Sequence, residues 1–291
     1  MRTRIGTIWT LILAASSTLA APLLPLAPKA DTKTMVQDAH CHQVLVTCVI
    51  NGVPMRMMLD TGATNTVLHK ESLAKLKNPV KLNTDNIELR GNAKEKPEVY
   101  MLSVVVDNAQ IRQHPVFVLD LSGARTAMAE KIDGILGMDI LGSLPFTFDV
   151  AGGKLHWGLP EGPHRLVPLY GNREESGRMH VQMVCPGGDT VKVLLDSGAS
   201  LSVIPTSKWQ AGVGRQQALG ISDVNALSEQ LVSFGAPGTV RLAPGVTVQG
   251  VEPMLTDTPE AVLLGMDVLS KLRLVHVPSA HMSGGYFFLA L

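Results

Sequence analysis

The sequence is poor in the residues that mark several functional classes. Aromatic residues make up 4% of the 291 positions, and 25 basic residues balance 25 acidic ones. Because there is no net charge and no long run of one sign, the sequence does not indicate a surface for polyanions. The scarcity of aromatic residues also argues against base stacking. We therefore expect no nucleic-acid partner.

Cysteine is also scarce. The three cysteines cannot all pair within one chain and are too few for a disulfide scaffold, so one bridge and buried free thiols both stay open. The fold must therefore depend on its core, for which a hydrophobic content of 45% is sufficient. Interleaved Val, Ile, Leu, Gly and Pro favour a mainly β protein with many turns.

Long apolar runs are missing after the first twenty residues. Residues 1–20 have the features of a cleaved export signal: two arginines, a largely apolar run from Ile5 to Ala15, and small residues at the end. An uncleaved membrane anchor is the alternative, but the run is shorter than the roughly 20 residues that a membrane span requires. We expect cleavage before Ala21, a flexible lead-in over residues 21–39, no stable membrane span afterwards, and a periplasmic or extracellular location.

An internal repeat organises the rest of the chain. LDTGATNTVLH at Leu59–His69 recurs as LDSGASLSVIP at Leu195–Pro205. In the same order, ILGMDIL at Ile135–Leu141 recurs as LLGMDVL at Leu263–Leu269. The similar separations indicate one ancestral unit used twice.

The repeat predicts two lobes. We place the N-terminal lobe at residues 40–159 and the C-terminal lobe at residues 178–291. The segment between them, residues 160–177, is rich in Pro, Gly and charged residues and is the natural linker.

A β-hairpin is predicted before each repeated Asp. In the first copy, two apolar runs flank Asn51-Gly52, a strong hairpin signal, and end at Asp60. In the second copy, two such runs flank a Pro-Gly-Gly-Asp turn and end at Asp196. Further apolar, β-branched runs predict strands at Val99–Val106, Pro115–Leu119, Thr239–Leu242 and Val246–Val251.

The Gly-Met-Asp segments of the repeat are predicted to begin short helices. Asp139 and Asp267 then fall near the first turn, where a carboxylate suits the exposed N–H groups of the helix. We interpret both residues as structural rather than catalytic.

Asp60 and Asp196 are the predicted catalytic pair. Each follows an apolar strand and precedes a hydroxyl residue and a glycine, which places a carboxylate on a tight turn that a partner can approach closely. Two like charges about 4 Å apart repel by roughly 4 kcal/mol at an effective dielectric of 20, so the pair should share one proton. The ionised member can then take a proton from water while the protonated member donates to a substrate carbonyl. This chemistry hydrolyses a peptide bond without a metal or cofactor.

The residues that follow each Asp are predicted to support it. The hydroxyl can hydrogen-bond to the matching loop, and the glycine leaves room for that loop. These supporting residues are Thr61, Gly62, Ala63, Ser197, Gly198 and Ala199.

These motifs resemble those of the retropepsin-like aspartic peptidases, whose halves show D-[TS]-G-A and a later I-[IL]-G segment. The resemblance covers residues 44–291, and the two units in one chain are similar to the layout of the two-lobed pepsins. It implies two similar β-barrel-like lobes related by a pseudo-two-fold axis, each with one short helix after the Gly of the second motif. It also implies a peptide substrate that lies extended between the lobes.

The resemblance further implies a flap that closes over the substrate. The best match is Ile87–Tyr100, with its tip at Gly91, Asn92 and Ala93. Tyr100 is either a flap tyrosine or an ordinary strand residue, since it falls in an apolar run. The corresponding segment of the second half is Asn225–Val232.

Three other interpretations compete with this one. His40-Cys41-His42 looks like a metal tract, but no partner cluster lies at ligand spacing, so we expect no metal. A peptide-binding or assembly module could keep the fold without turnover, although both acids and both hydroxyls are intact. Finally, we expect a monomer, while a dimer could instead pair each half with its counterpart from another chain.

Overall fold

The computed structural model describes residues 32–34, 36–37, 42–83, 98–151, 154–160, 162–173, 177–222, 227–258, 262–279 and 285–291. The predicted signal segment, residues 1–20, lies outside these ranges. Within them, every helix is too short or too polar to cross a lipid bilayer. The described residues are mainly β, as the sequence predicts.

The first half of the chain supplies strands β1–β11 and helices α1–α3. The strands are β1 (Thr32–Thr34), β2 (Val36–Gln37), β3 (Val44–Ile50), β4 (Val53–Leu59), β5 (Val67–His69), β6 (Val80–Lys81), β7 (Glu98–Val106), β8 (Ala109–Leu119), β9 (Gly134–Leu136), β10 (Phe146–Asp149) and β11 (Lys154–His156). The helices are α1 (Lys70–Leu73), α2 (Ser122–Ala127) and α3 (Met138–Leu141).

Six of these strands close into a barrel. Their hydrogen-bonded order is β3-β4-β9-β5-β8-β7, and a further pairing of β3 with β7 closes the ring. Asn51 and Gly52 connect β3 to β4 with φ angles of 44° and 81°, which suits the tight two-residue hairpin predicted there. Alternate side chains along β7, including Leu102 and Val104, are buried in the core.

The second half supplies strands β12–β24, helix α4 and one 3-10 turn. The strands are β12 (Leu166–Pro168), β13 (Gly171–Arg173), β14 (Met179–Val184), β15 (Thr190–Leu195), β16 (Val203–Pro205), β17 (Val213–Ser222), β18 (Leu227–Gly235), β19 (Gly238–Ala243), β20 (Val246–Val251), β21 (Met254–Thr256), β22 (Leu263–Leu264), β23 (Arg273–Val277) and β24 (Tyr286–Ala290). Helix α4 is Met266–Leu269, and the 3-10 turn is Thr206–Lys208.

The second sheet repeats the central pairings of the first but curls without full closure. Its order is β17-β18-β21-β16-β22-β15-β14-β19-β20. Strand β22 runs parallel to β15 and antiparallel to β16, as β9 does with β4 and β5. Helices α3 and α4 follow β9 and β22 directly. Two barrel-like lobes with a short helix after each Gly-Met-Asp glycine are therefore confirmed.

A third sheet joins the two halves. Its order is β1-β11-β10-β23-β24-β12, so three of its strands precede residue 160 and three follow it. At the junction of β10 and β23, Phe146 pairs with His276, and their rings stack with centroids 4.9 Å apart. Phe287 packs edge-on against Phe146, which buries the seam between the halves.

Two segments without predicted strands contribute to these sheets. The predicted lead-in contains β1 and β2, and the predicted linker contains β12 and β13. Each of these strands pairs with a strand from elsewhere in the fold. Cys185 is a buried free thiol and Cys48 is also buried, whereas Cys41 lies outside the described residues.

Candidate active site

The structure brings Asp60 and Asp196 together where the two lobes meet. Asp60 directly follows β4, Asp196 directly follows β15, and both side chains are fully buried. A Cβ atom added to Gly62 would lie 2.4 Å from Cγ of Asp196, and one added to Gly198 would lie 2.4 Å from Oδ2 of Asp60. Each loop therefore passes directly against the opposite carboxyl group, and only glycine leaves room for that approach.

Each carboxyl group is held by its own loop through one oxygen. Oδ1 of Asp60 accepts hydrogen bonds of 2.8 and 3.0 Å from the backbone N–H groups two and three residues further along its loop. Oδ1 of Asp196 accepts the equivalent bonds at 2.9 and 3.1 Å. The donors are Gly62, Ala63, Gly198 and Ala199. Within the described residues, Oδ2 of each Asp receives no hydrogen bond, so one oxygen of each acid is available for the pair and for a reactant.

Burial makes the pair hard to ionise. It raises the pKa of Asp60 to about 6, against the opposing effect of the backbone N–H groups. Burial also raises the pKa of Asp196 well above its usual range, and the neighbouring Asp60 charge adds to that rise. The two acids therefore hold a proton at a pH where isolated carboxyl groups have lost theirs.

Crossed hydrogen bonds lock the two loops together. Oγ1 of Thr61 donates to the carbonyl of Leu195 (2.9 Å) and accepts from the N–H of Ser197 (3.1 Å). In return, Oγ of Ser197 donates to the carbonyl of Leu59 (2.9 Å) and accepts from the N–H of Thr61 (3.0 Å). The hydroxyl beside each acid thus bonds to the matching loop, as the sequence predicts, and fixes the separation of the carboxyl groups.

The Gly-Met-Asp segments support the loops from beneath. Asp139 accepts hydrogen bonds from the N–H (2.8 Å) and hydroxyl (2.7 Å) of Thr66. Asp267 accepts the same two bonds from Ser202, at 2.8 and 2.7 Å. Both acids lie in the first turn of their helices and tie that turn to the chain that follows the catalytic loop. Asp139 and Asp267 therefore have the structural role that the sequence predicts.

Two residues near the pair were not recognised in the sequence. Gln43 is buried and donates from Nε2 to the carbonyl of Gly198 (2.9 Å), and Arg178 is buried with Nη1 3.5 Å from the carbonyl of Gly62. The register of the two predicted hairpins could have identified both residues. Counting back from each turn places Gln43 opposite Asp60 and Arg178 opposite Asp196.

The predicted first flap tip, Gly91, Asn92 and Ala93, lies outside the described residues. Tyr100 lies within β7, where its ring is buried and its hydroxyl donates to Oε2 of Glu98 (2.8 Å). In the second half, residues 227–232 of the predicted segment lie in β18, whereas residues 225 and 226 fall outside the described residues. Strand β18 forms a hairpin with β17, and both strands contact α2 of the first lobe. This hairpin therefore bridges from one lobe to the other.

Metal binding has no visible basis in the described ranges. They contain no group of three His, Cys, Asp or Glu side chains placed to hold an ion. Of the tract His40-Cys41-His42, only His42 falls in the described residues.

Comparison with known proteins identifies the class of the first lobe. Residues 46–140 match the family model described as aspartyl protease. The matched range contains Asp60 with its loop and ends inside α3. This match supports a retropepsin-like aspartyl protease family and a general aspartic protease function with a peptide substrate. A comparison with curated proteins found no match.

Proposed function

We propose that the protein is an aspartic endopeptidase whose catalytic pair is Asp60 and Asp196. The observation that carries this proposal is the symmetric approach of two buried carboxyl groups, each with one oxygen bound to its own loop and one left open. Such a pair retains one proton over a wide pH range because two negative charges cannot be held so close in a dry site.

The proposed reaction needs only water and the two acids. The ionised carboxylate takes a proton from a water molecule held between the pair, while the protonated carboxyl donates its proton to the carbonyl oxygen of the substrate. Attack by the water gives a tetrahedral diol, and transfer of a proton to the amide nitrogen then lets the C–N bond break. The crossed hydroxyl bonds of Thr61 and Ser197 keep both acids in place throughout.

We propose that the substrate lies extended in the cleft between the lobes. The hairpin of β17 and β18 reaches from the second lobe to α2 of the first, which is where an enclosing element is needed. Exposed Leu231 on β18 gives this hairpin an apolar side chain for contact with a peptide.

We propose that one chain forms one site. The sheet that combines β10 of the first half with β23 of the second supports this proposal, because it connects the lobes that carry the two acids. Sedimentation or light scattering of the purified protein tests it, and a dimer that dissociates with loss of activity would oppose it.

The proposed location is periplasmic or extracellular after removal of residues 1–20. The basic start, apolar run and small residues of that segment are the support. Fractionation of cells followed by sequencing of the N-terminus tests it, with Ala21 as the expected first residue.

The decisive test of the activity is peptide cleavage by wild type and by two single variants. Asp60→Asn and Asp196→Asn should each abolish cleavage of a diverse peptide mixture from acid to neutral pH, because the reaction needs both acids and one shared proton. Chelators should leave the wild-type rate unchanged, whereas peptide mimics with a central hydroxyl should inhibit.

Two outcomes of that experiment would reject the proposal. Cleavage by either Asn variant at the wild-type rate would show that the pair is not the catalyst. Absence of cleavage by the wild type, together with binding of the same peptides, would favour a silent peptide-binding module instead. Mass spectrometry of the products provides the cleavage sites in the same experiment.

A further inference from the structure

One buried oxygen beside the catalytic loops has no use in the proposed reaction. Within the described residues, Oδ2 of Asp60, Oδ2 of Asp196 and Oε1 of Gln43 are buried and receive no hydrogen bond. The reaction uses both Oδ2 atoms, but it gives no role to the Gln43 oxygen, although this side chain is 0% exposed. Because folded proteins rarely leave a buried acceptor unpaired, this oxygen next to a reactive site points to a ligand.

The amide of Gln43 has a fixed orientation. Its Nε2 lies 2.9 Å from the carbonyl oxygen of Gly198 and 2.9 Å from Oγ of Ser200. A carbonyl can only accept a hydrogen bond, so the nitrogen of the amide, and not its oxygen, faces Gly198. These two contacts use both hydrogens of the NH₂ group. Oε1 is therefore held in place as an acceptor that lacks a donor.

This acceptor lies on the side of Asp60. Gln43 stands opposite Asp60 in the register of its own hairpin. Its contact, Gly198, passes directly against the same acid, since a Cβ atom added to Gly198 would lie 2.4 Å from Oδ2 of Asp60. A substrate that reaches Oδ2 of Asp60 therefore comes within one residue of Gln43.

The equivalent place on the other side holds a different chemical group. Arg178 stands opposite Asp196, with Nη1 3.5 Å from the carbonyl oxygen of Gly62. A guanidinium carries N–H donors and no acceptor. Of these two equivalent positions, only that of Gln43 offers an acceptor. This difference gives two otherwise similar lobes a means of distinguishing the two directions in which an extended peptide can lie between them.

We propose that Gln43 is a specificity-determining residue whose Oε1 accepts a hydrogen bond from an N–H group of the bound peptide. This inference rests on the proposed function and adds a substrate preference to it. The donor is either a backbone N–H of the extended peptide or a side chain that carries N–H groups, such as that of Asn, Gln or Lys. Both sources supply the same chemistry, and the experiment separates them.

The test measures kcat/KM for matched peptides with the wild type and with Gln43→Arg. Arginine repeats the arrangement of Arg178, because it can still donate to Gly198 and Ser200 but has no acceptor. In the side-chain arm, peptides with Gln are compared with peptides that have Met, which is similar in length and has no donor, at each position around the cleaved bond. In the backbone arm, each peptide group except the one that is cleaved is replaced by an ester, which removes one N–H.

The expected result is a preference that depends on Gln43. The wild type should cleave the donor-bearing member of one matched pair about tenfold faster, and Gln43→Arg should abolish that ratio. The arm in which the ratio is lost identifies the donor as side chain or backbone. Gln113→Arg adds the same charge at an exposed position of β8 and should keep the wild-type ratio. A merely structural role would lower all rates alike, so a ratio that Gln43→Arg leaves unchanged would overturn the inference.

Binding separates this inference from the proposed function. Calorimetry of the same peptide pairs with Asp196→Asn needs no turnover and keeps the Asp60 side intact. A binding preference that Gln43→Arg removes, in a protein that cleaves nothing, supports the role of Gln43 and rejects the peptidase. Cleavage with equal ratios in both proteins refutes the role of Gln43 and leaves the peptidase in place. If Gln43→Arg does not fold, Gln43→Met decides by the same ratio, because it keeps the length of the side chain and also lacks the oxygen.

Discussion

The crossed hydroxyl bonds offer the sharpest test of how the two lobes are held at the site. Thr61→Val keeps the shape of the side chain and removes the hydroxyl, whereas Thr61→Ser keeps the hydroxyl and removes a methyl group. The valine leaves the buried carbonyl of Leu195 and N–H of Ser197 without this partner. Each such loss costs about 1–3 kcal/mol, so we expect Thr61→Val to lower the free energy of unfolding by about 2–6 kcal/mol. Against a typical stability of about 5–15 kcal/mol, that is a large fraction.

The serine variant is the matched control. It retains both hydrogen bonds and loses one buried methyl, which should cost about 1 kcal/mol. The reciprocal pair in the other loop is Ser197→Ala against Ser197→Thr. Because the two hydroxyls belong to one network, Thr61→Val and Ser197→Ala together should cost less than the sum of the single changes.

Urea unfolding followed by tryptophan fluorescence measures these differences. Trp157 and Trp209 are both buried, so their emission should shift when the fold opens. Peptide cleavage should fall with Thr61→Val and persist with Thr61→Ser. A Thr61→Val protein as stable and active as Thr61→Ser would refute the claim that these bonds hold the loops.

Three further predictions concern single sites. Gly62→Ala should abolish cleavage, because the added carbon would lie 2.4 Å from Cγ of Asp196. Gly245 has a φ of +76° and open space around it, so Gly245→Ala should lower the free energy of unfolding by only about 1–2 kcal/mol and keep the wild-type rate of cleavage. Equal rates of cleavage by Gly62→Ala and Gly245→Ala would contradict this reasoning. Burial lowers the pKa of His69 below 6.5, and its Nδ1 accepts a hydrogen bond from a backbone N–H at 2.9 Å. The unfolded chain therefore binds more protons at this residue, and the free energy of unfolding should fall as the pH drops below about 6.5. His69→Asn keeps a hydrogen-bond acceptor and should reduce the difference between the free energies of unfolding that urea titrations give at pH 7.5 and pH 5. The same difference in wild type and variant would show that His69 is not its cause. Burial raises the pKa of the Cys185 thiol to about 11, so iodoacetamide at pH 8 should label it only after unfolding, and rapid labelling of the native protein would be inconsistent with its burial.

Local patterns predicted the parts of the fold that local chemistry controls. Strand β20 coincides with the predicted run Val246–Val251, and the Asn51-Gly52 turn forms with both residues at positive φ. The short helices also begin at the repeated Gly-Met-Asp segments, because the glycine there packs tightly under the loop and the Asp binds the chain above it.

Long-range pairing explains what the sequence did not predict. Strands β12 and β13 lie in the Pro- and Gly-rich predicted linker, where no local period marks them. Strand β12 forms because the distant strand β24 offers a free edge, whereas β13 pairs with its neighbour in sequence, β14. Gln43 and Arg178 were missed for a related reason. Their importance comes from contact with the opposite lobe, which becomes visible only when the hairpin register and the pseudo-two-fold axis are applied together.

The sheet shared by both halves also sets the order in which the protein can be completed during synthesis. Strand β10 pairs with β23, which the ribosome adds only after most of the second lobe has been translated. Until then, Phe146 and Phe148 lack the neighbours that bury them in the finished fold. The nascent first lobe therefore exposes an apolar edge, which is prone to aggregation, until translation is nearly finished.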